Sequence, residues 1–216
     1  MTPLIEALPQ LLAGFRMTLL LTVVSGILSL LLGTLLAACR VSPLRSLRGV
    51  GTFAVEVGRN TPLTLVFVFF VFILPVTGIV LPLGVVPAVI ALTVYTSAFV
   101  CEAVRSGINS VGIGQAEAAR AIGLGSVGVL RLVVLPQALR TVVPPLINVL
   151  IALTKNTSVA AGFAVVELTA TGRALARDYP ADVLLMLLGV AAFYLLITIP
   201  AGTLAGRVER KVVFSR

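Results

Sequence analysis

The chain has 216 residues, 59% hydrophobic and 11% charged, with a mean hydropathy of +1.15 and a formal net charge of +8. No soluble core needs that much apolar sequence, so the chain reads as an all-α integral membrane protein whose charge surplus marks sidedness rather than nucleic-acid binding. The absence of His and the presence of only Cys39 and Cys101 argue against a zinc or haem site, and without a GxxxxGK(S/T) run the chain has no P-loop for ATP.

In chain order, the opening MTPLIEALPQ lacks a basic region before its first apolar run, so the first helix is expected to stay rather than be cleaved. Segment one runs from about Leu11 to Cys39, long enough to span. Thr18, Thr22, Ser25, Ser29, Gly33 and Thr34 recur along it at helical spacing, which suits close helix packing in lipid better than a solute-lining face. Arg40, Arg45 and Arg48 follow and mark the cytoplasmic side, which places the N-terminus outside. Segment two covers Thr52 to Leu74, with Glu56, Arg59, Asn60, Thr61 and Pro62 in its cytoplasmic half. Pro62 is expected to kink or open it. Two readings stand: a gate beside charged residues, or a Glu56–Arg59 interfacial pair with the span starting near Thr61. An uncharged outer loop with Pro75, Pro82, Pro87, Gly78 and Gly84 leads to segment three, Val86 to Val104. Tyr95, Thr96 and Ser97 lie near its middle, where helix-to-helix hydrogen bonding and a solute route are both open readings.

Residues 114–136, GQAEAARAIGLGSVGVLRLVVLP, crowd charge, Gly and Ala between two apolar segments. Gln115 to Ile122 reads as a short helix whose small alanines let another surface approach, Gly123 as the permissive stop, Ser126 as the cap of a second helix over Val127 to Val134, and Pro136 as the restart toward the membrane. Arg105, Arg120 and Arg131 place this loop in the cytoplasm. Segment four starts near Gln137, is distorted by Pro144-Pro145, and meets the polar run Thr154-Lys155-Asn156-Thr157-Ser158. Lys155 falls toward the outer half of the bilayer, either as a group facing a solute carboxylate or as a snorkelling cation. Gly162 to Asp182 reads as a short outer or re-entrant helix with Glu167, Arg173, Arg177, Asp178 and Asp182 on solvated faces. Segment five, Val183 to Leu204, is interrupted by Pro200, and Arg207, Arg210, Lys211 and Arg216 place the C-terminus inside. The sum is five spans, with no inverted repeat.

The spacing Glu117-Ala118-Ala119, three residues, Gly123, nine residues, Val133, one residue, Leu135-Pro136 resembles the EAA loop of bacterial ABC importer permeases, with Val where Ile is usual. The stretches GFRMTLLLTVVS from Gly14, RNTPLTLVFVFF from Arg59, RSGINSVGIGQAEAAR from Arg105 and ALTKNTSVA from Ala152 extend the resemblance over most of the chain. They are similar to HisMQ-like polar amino acid permeases, most of all those of glutamate uptake systems of high-GC Gram-positive bacteria. The resemblance implies a type I ABC importer transmembrane domain over residues 1–216, with Glu117, Ala118, Ala119, Gly123, Leu135 and Pro136 coupling it to a separate ATPase that carries ATP and Mg. It further implies a second permease copy or related chain, an extracytoplasmic solute-binding protein, and a polar amino acid as cargo, in a bacterial cytoplasmic membrane.

Candidate solute-pathway residues are Arg59, Thr61, Tyr95, Thr96, Lys155 and Asn156. The rival is an ion-gradient-driven secondary amino acid carrier. It needs intramembrane carboxylates, whereas Glu56 and Glu102 fall near the cytoplasmic edge. A membrane enzyme lacks a convergent catalytic set, with no GxSxG and no HExxH.

Overall fold

The computed structural model describes residues 2–213, with side chains for 3–210. Arg216 and the side chain of Lys211, both counted in the positive C-terminal cluster, lie outside that description. Among the described residues every regular element is helical: α1 (Thr2–Arg40), α2 (Arg45–Asn60), α3 (Leu63–Val76), α4 (Val85–Asn109), α5 (Ile113–Ala121), α6 (Ser126–Gly162), α7 (Leu168–Asp178) and α8 (Val183–Val213). Four of these, α1, α4, α6 and α8, are long and apolar enough to cross a membrane, and the bent pair α2–α3 makes a fifth candidate.

Helix α1 begins well before the expected Leu11 and ends where Ser42-Pro43 disfavours further helix. At 39 residues it is about 58 Å long, so it overshoots a hydrocarbon core of about 30 Å. The expected second segment is opened, not merely kinked, at Pro62. Thr61, held extended at φ −92° and ψ 129° by the proline that follows, separates α2 from α3, and the two meet at 108°. Pro62 therefore lies between two helices instead of inside one.

Two prolines are accommodated differently, by widened turns. The π segments Phe69–Ile73 and Val129–Val134 each stop just short of a proline, Pro75 and Pro136, and in each the N–H of the next residue reaches five positions back, Leu74 to Phe69 and Leu135 to Leu130. A proline ring in a regular α-helix collides with the carbonyl four residues earlier and offers no N–H, and a wider turn moves that carbonyl aside. Pro136 thus continues a helix that already started at Ser126. Nor does Ser126 cap it: the N-cap position is Gly125, with no side-chain bond. Pro200 likewise lies inside an unbroken α8.

Helix α4 packs on α1, α2, α3 and α6, and α8 closes the other side through α6 and α7. Leu21, Phe67, Leu92 and Leu153 join α1, α3, α4 and α6 in one core, and Ala7, Leu11, Leu168, Leu175 and Met186 join α1, α7 and α8 in another. The small-residue stripe of α1 serves this packing. A Cβ on Gly33 would sit 2.6 Å from the Ser97 carbonyl of α4, so only hydrogen fits there. Thr18, Ser25 and Ser29 are buried along the same face.

Candidate functional site

Helices α4 and α6 cross so that turns of each face a cavity of about 410 Å³. Tyr95, Thr96 and Phe99 line it from α4, and Asn148, Val149, Ala152, Leu153 and Asn156 from α6. The positions repeat at one, three and four residues, so each set occupies a single helical face. Three residues expected from the sequence, Tyr95, Thr96 and Asn156, therefore converge, while Arg59, Thr61 and Lys155 are not among the lining residues. Lys155 is exposed, next to the lining Asn156. Asn148, isolated in an apolar stretch, was passed over in the sequence; its separation of eight from Asn156 on one helix was the available signal.

The cavity is uncharged, with two amides, a phenol and a hydroxyl set among apolar walls. Most buried hydroxyls of these helices bond locally: Ser97 donates to the Val94 carbonyl at 2.7 Å and Thr154 to the Leu150 carbonyl at 2.9 Å. Thr93 and Thr96 are different: they are 8% and 3% exposed, neither Oγ1 has a hydrogen-bond partner among the described residues, and of the two Thr96 is the one among the cavity residues. A buried hydroxyl without a partner is unfavourable until a polar group reaches it. Tyr95 is tilted against Phe99 at 5.1 Å between ring centroids, which fixes the phenol's direction.

The second region is the loop between α4 and α6. Helix α5 starts at Ile113, two residues before the expected Gln115, and ends in a Schellman turn: Gly123 at φ +90° donates to the Arg120 carbonyl at 2.9 Å and Leu124 to the Ala119 carbonyl at 3.1 Å. Glu117, Ala118, Gly123, Leu135 and Pro136 are exposed, and Ala119 alone of that set is buried. Ile113, Ile122 and Val127 add large exposed apolar side chains around it.

Two charged clusters differ from their sequence readings. Glu102 on α4 gathers Arg40 of α1, Arg59 of α2 at 3.1 Å and Arg105 of α4 at 3.0 Å. Arg59 therefore pairs with Glu102, not with Glu56, whose carboxylate accepts instead from Asn60 Nδ2 at 3.2 Å. Glu167 is not on a solvated face. It is 0% exposed, caps α7 by accepting from the Ala170 N–H at 2.9 Å, and also accepts from the Tyr194 hydroxyl at 2.8 Å and the Thr18 hydroxyl at 3.4 Å. It ties α1, α7 and α8 together. Its cue was its place just before Leu168, since a carboxylate is favoured at the N-terminal end of a helix dipole.

A helical bundle of this build, with a small neutral cavity between spans and an exposed helix–Gly–helix loop outside them, defines a multi-pass membrane transport component. The chain belongs to the family of binding-protein-dependent transport system inner membrane components, whose sequence pattern matches residues 29–214. It is 39% identical over 225 residues to the glutamate transport system permease protein GluC of Corynebacterium efficiens, covering 96% of each chain. It is 35% identical over 178 residues to the arginine transport system permease protein ArtQ of Bacillus subtilis, covering 82% of this chain and 78% of that one. Its fold matches a crystal structure of an amino acid ABC transporter with histidines at a TM-score of 0.89 and 28% identity, over 96% of both chains. The chain is thus a polar amino acid ABC importer permease with the type I fold, a transport subunit rather than an enzyme, and in this family the ATPase is a separate subunit.

Proposed function

We propose that this permease carries glutamate or a closely related amino acid, and that residues 114–136 couple it to ATP hydrolysis on the partner. The observation that carries the reading is the cavity. Tyr95, Thr96, Asn148 and Asn156 offer donors and acceptors to an amino acid's carboxylate and ammonium groups without a fixed charge to trap it, which suits a site that must release its cargo. The 39% identity to a glutamate permease over 96% of both chains supports the cargo.

In this reading the N-terminus is outside and the C-terminus cytoplasmic, as the Arg clusters suggest. A second copy or related chain completes the route, and an external binding protein delivers the cargo. The ATPase, holding ATP and Mg, grips Glu117, Ala118 and the Gly123 turn, with Ala119 giving the loop its inner packing and Leu135 and Pro136 leading into α6. Because α6 runs unbroken from the loop to Asn148 and Asn156, a displacement of the loop reaches the cavity without a joint of irregular chain. ATP shifts the access equilibrium only by its differential affinity for the closed state.

The test is uptake of labelled glutamate by vesicles holding the complete transporter with its binding protein. Uptake is expected to need ATP, to survive an ionophore, and to fall with Glu117→Lys, which should also release the ATPase on purification. Uptake that collapses with the ionophore while ATP is held constant would overturn the coupling and favour a carrier.

A further inference from the structure

The stripe of α4 that lines the cavity does not end with it. Tyr95, Phe99 and Glu102 stand at i, i+4 and i+7 on one side of the helix, and the contact between the Tyr95 and Phe99 rings follows that line. Phe99 is the last cavity residue on α4, and Glu102 lies about 4.5 Å further along the axis, toward the end that leads into residues 114–136. The neutral cavity gives way within one turn to a charged cluster.

In that cluster Arg40, Arg59 and Arg105 share the single carboxylate of Glu102, three positive charges against one negative. Their holds on it differ. Arg40 hydrogen-bonds one carboxylate oxygen and its side chain is 10% exposed, inside the cluster. Arg105 hydrogen-bonds the other oxygen through Nε and Nη2, at 3.3 and 3.0 Å. Arg59 meets the oxygen that Arg40 already holds: it pairs there at 3.1 Å with no aligned hydrogen bond among the described residues, and its side chain is 42% exposed. Its guanidinium keeps donors for a second carboxylate, and the charge surplus that Glu102 leaves favours one.

We propose that Arg59, with Arg105 beside it, forms a second carboxylate subsite, which takes the carboxylate of an anionic amino acid as it leaves the cavity. The inference rests on the reading of the cargo as glutamate or a close relative, and adds where that cargo goes next. In the orientation proposed above the subsite is on the cytoplasmic side. The cargo passes from amide and hydroxyl partners to a guanidinium one turn away. Arg40 and Arg105 stay on Glu102 while Arg59 changes partner, so the exchange strands no charge. A net anion gains most from the surplus, because the ammonium of a zwitterion is repelled. Arg59 is exposed, so the same anion accumulating in the cytoplasm fills the subsite as well and holds back further delivery.

The experiment uses the complete transporter in vesicles, with ATP sealed inside and the binding protein outside. Initial uptake of labelled glutamate is measured with unlabelled glutamate, glutamine or arginine in the lumen at equal concentration and ionic strength. Luminal glutamate is expected to slow wild-type uptake several-fold, glutamine much less and arginine not at all. Arg59→Gln should remove that difference, and Arg59→Lys, which keeps the charge, should restore much of it. A merely structural Arg59 would instead lower uptake equally with every luminal solute, which would overturn the subsite. If Arg59→Gln does not accumulate, Arg105→Gln decides, and it is expected to weaken the luminal glutamate effect. Wild-type uptake indifferent to luminal glutamate would sink the subsite and leave the cargo reading standing. So would inhibition that persists in Arg59→Gln and disappears in Thr96→Val, which would return luminal binding to the cavity. Absence of any glutamate uptake by the wild type would overturn the cargo reading, and the subsite with it.

Discussion

Thr96 and Glu167 show opposite ways of burying a polar group. Thr96 keeps an unpaired hydroxyl beside the cavity, whereas Glu167 accepts three hydrogen bonds, one from each of three helices. Thr96→Val removes the hydroxyl at nearly constant volume, so melting of the purified complex should be unchanged or raised, because no protein bond is lost. Transport should suffer instead: losing one solute hydrogen bond of about 0.5–1.5 kcal/mol raises the KM for cargo roughly 2–10-fold. Unchanged KM would remove Thr96 from the solute's path. Glu167→Ala should act in the reverse sense, lowering stability by about 1–3 kcal/mol through the lost cap of α7 and the stranded Tyr194 hydroxyl, as read by a lower melting temperature and reduced accumulation. The sequence marked Thr96 as a candidate and gave Glu167 a different place. Polar residues against apolar spans stand out, so Tyr95 and Thr96 in mid-span and Asn156 in the polar run at a span's end were legible as candidates. Glu167 was hidden by its neighbours, since Arg173, Arg177, Asp178 and Asp182 give its segment the look of a solvated face while burial depends on what α1 and α8 bring to it.

At the level of elements, boundaries followed local chemistry where one residue decides and failed where a proline met a neighbour's geometry. Gly123 stopped α5 as its φ requires, and the cores of α1, α4 and α8 lay where hydropathy placed them. Pro62 and Pro136 were read alike as interruptions. The first separates two helices at 108° and the second is absorbed by a π turn. The Gly123 turn offers a test belonging to this scale. A Cβ there meets nothing within 4 Å, so Gly123→Val should cost only its backbone strain, about 1–2 kcal/mol. The variant is expected to fold and reach the membrane yet to transport poorly, because the turn that presents Glu117 is altered. Normal ATP-driven uptake by a correctly inserted Gly123→Val protein would show that the turn does not couple.

For the whole molecule, exposure is the dominant fact. The most apolar windows of α6 and α8 are only 17% and 11% buried, so most of their apolar surface awaits lipid or a companion chain. The class of the molecule was legible because hydropathy needs no tertiary knowledge, and its family because the loop spacing is specific. The cavity's make-up and the Glu102 cluster were not, since both arise where helices far apart in sequence cross.

The π turn at Val129–Val134 stores slack in the rod that links the loop to the cavity. A π turn takes up one residue more than the α turn it replaces, so tightening it would turn everything beyond by about 100° and lengthen the helix by about 1.5 Å. Pro136 blocks that tightening at its own position, and the slack stays beside the loop instead of migrating toward Asn148. The widened turn therefore lies at the loop end of α6, and the stretch that carries Asn148 and Asn156 is α-helix from Leu135 onward.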